Sequence, residues 1–206
     1  MFLNKNSFCI IPNAVPIHIC DKIIKYGKEH KQKMAVTGNL SNRKKPLTKK
    51  EIRHLKKHRN SNITFLNDWW IQRHIFPAIK EANIITNWNL SITGHEAMQF
   101  TKYNKGQFYD WHYDSWVDPY KNNTVRKLSV TVCLNDENEF EGGDLEFALQ
   151  DNNARKPLKK IHKVCKEVRK KGSLVVFPSF LWHRVTPVTK GTRYSLVIWS
   201  TGEPYK

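Results

Sequence analysis

Length and composition predict one compact, soluble domain. The chain has 206 residues, of which 39% are hydrophobic, and it contains seven tryptophans. This composition excludes a disordered chain and allows a substantial core, so we expect a single domain over 1–206. No apolar run approaches the roughly 20 residues that cross a bilayer, and the first twelve residues lack the pattern of a signal peptide. We therefore expect a cytoplasmic protein without membrane contact.

The charge is strongly positive and concentrated in two segments. The 35 Lys and Arg residues outnumber the 18 Asp and Glu residues, which gives a net charge of +17. Residues 43–59 and 155–171 are the most basic stretches. Such clusters can dock nucleic acid or another polyanion, or they can be solvated surface loops. Few aromatic residues are interleaved for base stacking, so both interpretations stay open.

The first part of the chain predicts helices that follow a short strand. Apolar residues recur at helical spacing, and Thr48 with Glu51 matches a capping box that starts a very basic helix. Pro77 should kink or end the last of these helices. We expect a helical support region over 1–90, with its elements placed as follows: a strand over 8–12 and helices over 17–30, 48–60 and 65–79.

The second part of the chain predicts strands. Short apolar runs alternate with turn residues, and no long helix separates them, which favours an antiparallel sandwich or barrel over a parallel fold. We expect this mainly β core over 91–206. The predicted strands are 96–103, 109–113, 128–134, 145–148, 164–168, 173–177 and 194–200.

The last predicted strand has two distinct faces. Tyr194, Leu196 and Ile198 alternate with a second set that includes Arg193, so one face can pack on the helices while the other lines an interior. A buried guanidinium needs an anionic partner. No carboxylate in the sequence suggests itself, so a ligand carboxylate is an attractive partner for Arg193.

One short motif carries the chemistry that we expect. His112 and Asp114 are two residues apart, a spacing at which strand side chains share one face. His183 lies near the end of another predicted strand, and Gly191 permits a turn that would bring the strand of Arg193 alongside it. Two imidazoles and one carboxylate form the facial triad of non-haem Fe(II) oxygenases. The open positions of such a metal can accept a 2-oxo acid and dioxygen.

The sequence around these residues resembles the prolyl 4-hydroxylase-like branch of the 2-oxoglutarate- and Fe(II)-dependent dioxygenases, and in particular the bacterial and phage PKHD-type hydroxylases. Five ordered blocks between residues 96 and 200 carry the resemblance: YNKGQFYDWHYD from Tyr103, LSVTVCLND from Leu128, FEGGDLEF from Phe140, GSLVVFPS from Gly172 and HRVTPVTKGTRYSLVIW from His183.

The resemblance implies a fold, a cofactor and a set of roles. The fold would be a double-stranded β-helix, a cupin-like jelly roll supported by N-terminal helices. His112, Asp114 and His183 would bind iron, and Arg193 would pair with the distal carboxylate of 2-oxoglutarate, assisted by Tyr103 and Ser195. The implied reaction is hydroxylation of a protein or peptide side chain, such as a prolyl residue, and ascorbate is a further expected cofactor. A phage-encoded protein would act in the cytoplasm of its host.

Two other functions stay open. Nucleic-acid demethylases of this superfamily place a second Arg six residues after the Arg that binds the co-substrate, and here that position is Trp199. A jelly-roll binding module without catalysis is the other alternative. Among the supporting residues, Gly142-Gly143 reads as a structural turn, Trp182 and Trp199 as core or pocket wall, and either Trp111 or Trp116 as a border of the substrate channel. His95 and His162 fit no ligand spacing.

Overall fold

Alternating apolar residues in the second half of the chain form two antiparallel sheets that pack face to face. The computed structural model describes residues 3–5, 7–37, 45–116, 118–149, 160–163 and 166–205. The strands in chain order are β1 (Leu3–Lys5), β2 (Phe8–Ile11), β3 (Lys33–Met34), β4 (Arg59–Asn60), β5 (Asn62–Leu66), β6 (Gly94–His95), β7 (Met98–Asn104), β8 (Phe108–His112), β9 (Val125–Cys133), β10 (Phe140–Gly142), β11 (Leu145–Leu149), β12 (Lys160–Lys163), β13 (Leu174–Pro178), β14 (His183–Val185) and β15 (Val188–Gly202).

The two sheets differ in size. The larger sheet has the order β1-β2-β13-β9-β15-β7-β5-β3, with β6 and β10 paired to β15. The smaller sheet has the order β12-β11-β14-β8-β4. Every pairing between described strands is antiparallel. The predicted antiparallel sandwich is therefore confirmed.

Three helices, α1 (Ile17–Glu29), α2 (Lys49–His58) and α3 (Trp69–Ile85), precede most of the strands. The buried sides of α1 and α3 share one apolar core with Leu196 and Ile198 of the last strand. A second core fills the space between the sheets, where Tyr103, Phe147 and Phe177 meet. Two faces of β15 thus serve two different interiors, as its alternation predicts.

The capping box of α2 is confirmed. The backbone N–H of Glu51 donates to the Thr48 hydroxyl at 3.3 Å, and the Thr48 N–H donates to the Glu51 carboxylate at 2.8 Å. Two of the free N–H groups at this helix start are thereby satisfied, which stabilises a helix that buries only Leu55.

Two local predictions are wrong in detail, and Pro77 does not end its helix. Phe65 and Leu66, predicted to start that helix, belong to β5, and α3 runs from Trp69 through Pro77 to Ile85. Pro77 removes one N–H, but the apolar face of α3 stays buried on both sides of it, so the helix continues. Of the strand predicted over 164–168, Val164 and Cys165 lie outside the described residues, and Lys166–Arg169 form a 3-10 turn that buries Val168.

The first 90 residues are less helical than expected. They contain the three helices and also β1 to β5, which extend both sheets. The division of the chain at residue 90 stays a prediction. Among the described residues, no helix is both long and apolar enough to span a bilayer.

Candidate active site

The three predicted metal ligands lie together where β8 and β14 end. His112 is the last residue of β8 and pairs directly with His183, the first residue of β14; their ring centroids are 4.1 Å apart. Asp114 follows β8 by two residues. Its N–H and that of Ser115 both donate to the Ser179 carbonyl, at 2.8 and 3.0 Å, which directs this loop towards the larger sheet.

The side-chain geometry suits a metal ion. One donor atom from each of His112, Asp114 and His183 lies within 4.8 Å of the others. The Nε2 atoms of the two imidazoles are 3.7 and 3.6 Å from the two Asp114 oxygens. The Nδ1 atoms are 2.7 Å from the Asp110 carbonyl and 2.9 Å from the Leu181 carbonyl. Because a carbonyl only accepts, each Nδ1 carries the proton and each Nε2 presents a lone pair to the common centre.

The charge states also suit a metal ion. Burial, followed by the neighbouring His183, lowers the pKa of His112 to about 3, so this imidazole is neutral at neutral pH. Burial alone would raise the pKa of Asp114, but the nearby histidines, Arg126 and the Ser129 hydroxyl lower it to about 2. The Ser129 hydroxyl donates to Asp114 Oδ2 at 2.7 Å. A neutral imidazole and an ionised carboxylate match the donor set of a non-haem Fe(II) site.

The predicted anion-binding residues lie inside the sandwich on the larger sheet. Arg193 is 4% exposed and pairs in register with Tyr103 of β7. Its guanidinium carbon is 5.7 Å from the Tyr103 ring centroid, and its Nη1 donates to the Ser195 hydroxyl at 3.0 Å. Among the described residues, no carboxylate forms an ion pair with Arg193. Arg193 therefore lies next to both Ser195 and the ring of Tyr103, the other two residues proposed to hold 2-oxoglutarate.

The backbone on either side of Arg193 is held by one buried amide. Asn135 donates to the Thr192 carbonyl at 2.9 Å and accepts from the Tyr194 N–H at 2.8 Å. The arginine side chain also requires Gly143, where a Cβ would lie 2.9 Å from Arg193 Cδ and where φ is +62°. The interpretation of Gly142-Gly143 as a structural turn thus agrees with the geometry.

The role predicted for Gly191 is wrong. His183 and Arg193 lie in different sheets, and Gly191 is inside β15 instead of in a turn between them. A Cβ at Gly191, with φ of +71°, would lie 2.0 Å from the Glu139 carbonyl oxygen. Gly191 is needed because β10 approaches β15 closely at this point.

A cavity of about 580 Å³ opens in front of the metal candidates. It is lined by His112 and Asp114, and by Trp111, Trp116 and Trp199. Both tryptophans that flank the metal motif therefore border the cavity, and Trp199 forms part of its wall. Trp182 is 42% exposed and packs edge-on against Tyr113.

Two residues of this cavity were not predicted. Arg126 donates two hydrogen bonds to the Glu96 carboxylate, each of 2.6 Å, and its guanidinium carbon lies 3.8 Å from the Trp199 ring centroid. This pair places a neutralised guanidinium on the cavity wall. The available signal was an Arg at the start of a strand that continues with alternating apolar residues.

The two remaining histidine predictions differ in outcome. His95 stacks on Phe76 with centroids 3.9 Å apart and its Nδ1 lies 3.0 Å from the Ser200 hydroxyl, away from the metal candidates. The backbone of His162 belongs to β12, and its side chain lies outside the described part of the structure.

Comparisons with known proteins agree with this arrangement. The family model of the 2OG-Fe(II) oxygenase superfamily matches residues 98–201, about half of the chain. A PKHD-type hydroxylase of Shewanella oneidensis is 35% identical over 101 residues, which cover 48% of this chain and 40% of that protein. A PKHD-type hydroxylase of Synechococcus sp. strain CC9605 is 37% identical over 95 residues, which cover 46% and 36%. The chain thus spans about two fifths of the length of these relatives.

Solved structures show the same fold. A Pseudomonas putida prolyl-4-hydroxylase has a TM-score of 0.63 at 18% identity and covers 96% of this chain and 94% of its own. A prolyl hydroxylase from Trichoplax adhaerens in complex with a hypoxia inducible factor peptide has a TM-score of 0.60 at 19% identity, covering 96% and 84%. The predicted double-stranded β-helix, supported by N-terminal helices, is confirmed.

Proposed function

Because the chain belongs to the 2OG-Fe(II) oxygenase superfamily, we propose that it is a hydroxylase that couples oxidation of a protein or peptide side chain to conversion of 2-oxoglutarate into succinate. The observation that carries this proposal is the presence of two complementary sets of residues. His112, Asp114 and His183 present three metal-ligating atoms, and the buried Arg193 lacks a carboxylate partner among the described residues.

Each residue has a defined part in this proposal. His112, Asp114 and His183 would hold Fe(II), which when bound supplies the oxidising chemistry with dioxygen and 2-oxoglutarate. Arg193 offers a planar fork of donors that suits a carboxylate, and the Tyr103 hydroxyl and Ser195 supply further polar contacts. All three residues are buried, so the anion pocket that they would form is shielded from bulk water. Ascorbate would serve to keep the iron reduced.

The substrate proposed here is a polypeptide. Relatives that match the chain are hydroxylases by name, and a protein of similar fold is described in complex with a peptide. The cavity in front of the metal candidates opens to the surface beside exposed Tyr113 and Trp116, so a side chain carried by a flexible segment can reach the site. Prolyl residues are one candidate, because aromatic surfaces commonly contact proline.

The test is anaerobic addition of Fe(II) and 2-oxoglutarate to the purified protein, followed by exposure to air. We expect a weak visible charge-transfer band without oxygen and succinate formation with it. Absence of both would refute the proposal. His112→Ala should remove both signals, whereas Asp110→Asn, which changes a nearby cavity carboxylate outside the triad, should retain the band.

Two alternatives lead to different results. An oxygenase that acts on nucleic acid would form succinate with oligonucleotides instead of peptides, and a jelly-roll binding module would retain neither Fe(II) nor Mn(II). Both sheets contain strands from the first 90 residues and from the rest, which supports the proposal of one domain over 1–206.

A further inference from the structure

The helix α2 carries a strong positive charge that nothing in the described structure neutralises. Five of its ten residues are Lys or Arg, against the single acid Glu51 of the capping box. All five basic side chains are exposed, and none forms an ion pair with another described residue. They are Lys49, Lys50, Arg53, Lys56 and Lys57. Like charges on one helix repel, so an anionic partner would stabilise this face.

This basic helix leads directly to the catalytic cavity. Its last residue, His58, and the following Arg59 line the cavity, together with exposed Lys33 from the neighbouring edge of the larger sheet. Arg59 lies 4.3 Å from the centroid of the Tyr109 ring, which stacks on His112 at 3.5 Å. The positive face and the metal candidates are therefore two ends of one continuous surface.

The cavity itself carries no such excess of positive charge, because Lys33, Arg59 and Arg126 are matched by three carboxylates. Glu96, Asp110 and Asp114 line it, and the guanidinium of Arg126 is already paired with Glu96. Anionic groups are thus attracted to α2 more strongly than to the cavity, where Glu96 is paired with Arg126 and Asp114 is a metal candidate. A nucleic acid would bring phosphates next to its reacting nucleotide, but a peptide can keep its acidic residues several positions away from the residue that enters.

We propose that the exposed basic face of α2, with Lys33, is a docking surface for an acidic segment of a polypeptide substrate whose reacting residue enters the cavity. This inference rests on the proposed hydroxylase function and adds the substrate class. A ten-residue helix is about 15 Å long. An extended peptide advances about 3.3 Å per residue, so an acidic block of about four or five residues, set a few positions away from the reacting residue, would span the helix.

The experiment measures how tightly labelled peptides bind to the protein in the presence of Mn(II) and 2-oxoglutarate. Short proline-centred peptides carry a block of Glu, Gln or Lys on either side, and an oligothymidylate of equal length serves as the nucleic-acid probe. The test variant is Arg53→Glu with Lys57→Glu. The control is Lys25→Glu with Lys80→Glu, which places the same charge change on exposed positions of α1 and α3.

We expect the Glu-block peptide to bind more tightly than the Gln-block peptide, with an advantage that decreases as salt increases. The α2 variant should weaken Glu-block binding by about tenfold, and the control variant should weaken it much less. Acidic residues in the last turn disfavour a helix, so the companion variant Arg53→Gln with Lys57→Gln should show a smaller loss in the same direction.

Other results overturn the inference. Equal losses in the test and control variants would show a general effect of net charge. Absence of a preference for the Glu block, or a loss confined to oligothymidylate, would remove the acidic peptide as the substrate. Failure of the hydroxylase proposal is visible separately, because the wild-type protein would then show no Fe(II) and 2-oxoglutarate charge-transfer band whatever the peptides do.

Discussion

The two halves of the site are constructed in opposite ways. His112 and His183 lie at strand ends and Asp114 lies in a loop, so their positions depend on a few hydrogen bonds to nearby carbonyls. Arg193 and Ser195 lie in the interior of β15, which is paired on both sides, to β7 and to β9. The anion pocket is therefore fixed by the sheet before a ligand binds, whereas the geometry of the metal candidates depends on local contacts and on the ion itself.

Loss of a metal ligand should give the largest effect and should leave the anion pocket intact. In Asp114→Asn the carboxylate becomes a weak, neutral donor. We expect Mn(II) affinity to fall by more than about a hundredfold, because loss of groups that merely orient ligands already costs about 10–100-fold. Metal titration measures this change. Asp110→Asn is the matched control, and a similar loss in that variant would contradict the assignment of Asp114.

Loss of Arg193 should have the converse effect: it should weaken 2-oxoglutarate binding and leave metal binding unchanged. Arg193→Met removes the charge-assisted hydrogen bonds to a carboxylate. Even one such bond is worth about 1.5–3 kcal/mol, so 2-oxoglutarate affinity should decrease by about fiftyfold or more. Mn(II) affinity should not change. Arg193→Lys keeps the charge but loses the fork of donors and should be intermediate.

Arg193→Met also tests whether the buried guanidinium contributes to the stability of the folded protein when no ligand is bound. Since no described carboxylate pairs with Arg193, we expect Arg193→Met to unfold at an equal or higher temperature than the wild-type protein when 2-oxoglutarate is absent. A large decrease in Tm would mean that Arg193 is primarily a structural residue.

Of the two halves, acid should act on the metal half, through His112. The pKa of His112 is about 3 in the folded protein, below the ordinary value of 6.5, so between these pH values the unfolded chain binds a proton that the folded protein does not. The free energy of unfolding of the metal-free protein should therefore decrease by about 1.4 kcal/mol for each unit that the pH falls through this range. Denaturant unfolding with a chelator measures it.

The control for this pH dependence is a pair of variants. His112→Gln removes the titrating group, so its stability should depend less steeply on pH than that of the wild-type protein. Arg193→Met should retain the full slope. An unchanged slope in His112→Gln would show that burial does not disfavour the charged form of this imidazole.

The same contrast explains which parts of the site were predictable. Arg193 and Ser195 follow the simple alternation of a regular strand, so their inward direction could be inferred from the sequence. His112 and Asp114 were found through their spacing. Their meeting with His183, however, required the long-range pairing of β8 with β14, which the family resemblance implied and periodicity could not supply.

The positions of Arg126 and Gly191 could not be predicted, because the backbone near them is irregular. Alternation from Ser129 would point Arg126 away from the cavity, but the register between β9 and β15 shifts beside Lys127, and this extra residue returns Arg126 to the inner face. A bulge reverses the alternation beyond it and leaves no clear signal in one sequence. The prediction for Gly191 failed for a related reason. Its positive φ allows two strands to approach closely and does not form a turn.

Two serines offer the finest test of the comparison, because each supports one half of the site through a single hydrogen bond. The Ser129 hydroxyl orients Asp114, and the Ser195 hydroxyl accepts from Arg193. Ser129→Ala should weaken Mn(II) binding by about tenfold with little change in 2-oxoglutarate affinity at saturating metal. Ser195→Ala should do the reverse, with an effect of about tenfold or less, since the guanidinium is also held by the paired backbone. If both substitutions weakened both ligands equally, the two halves would behave as one unit, and the independence inferred from their construction would be wrong.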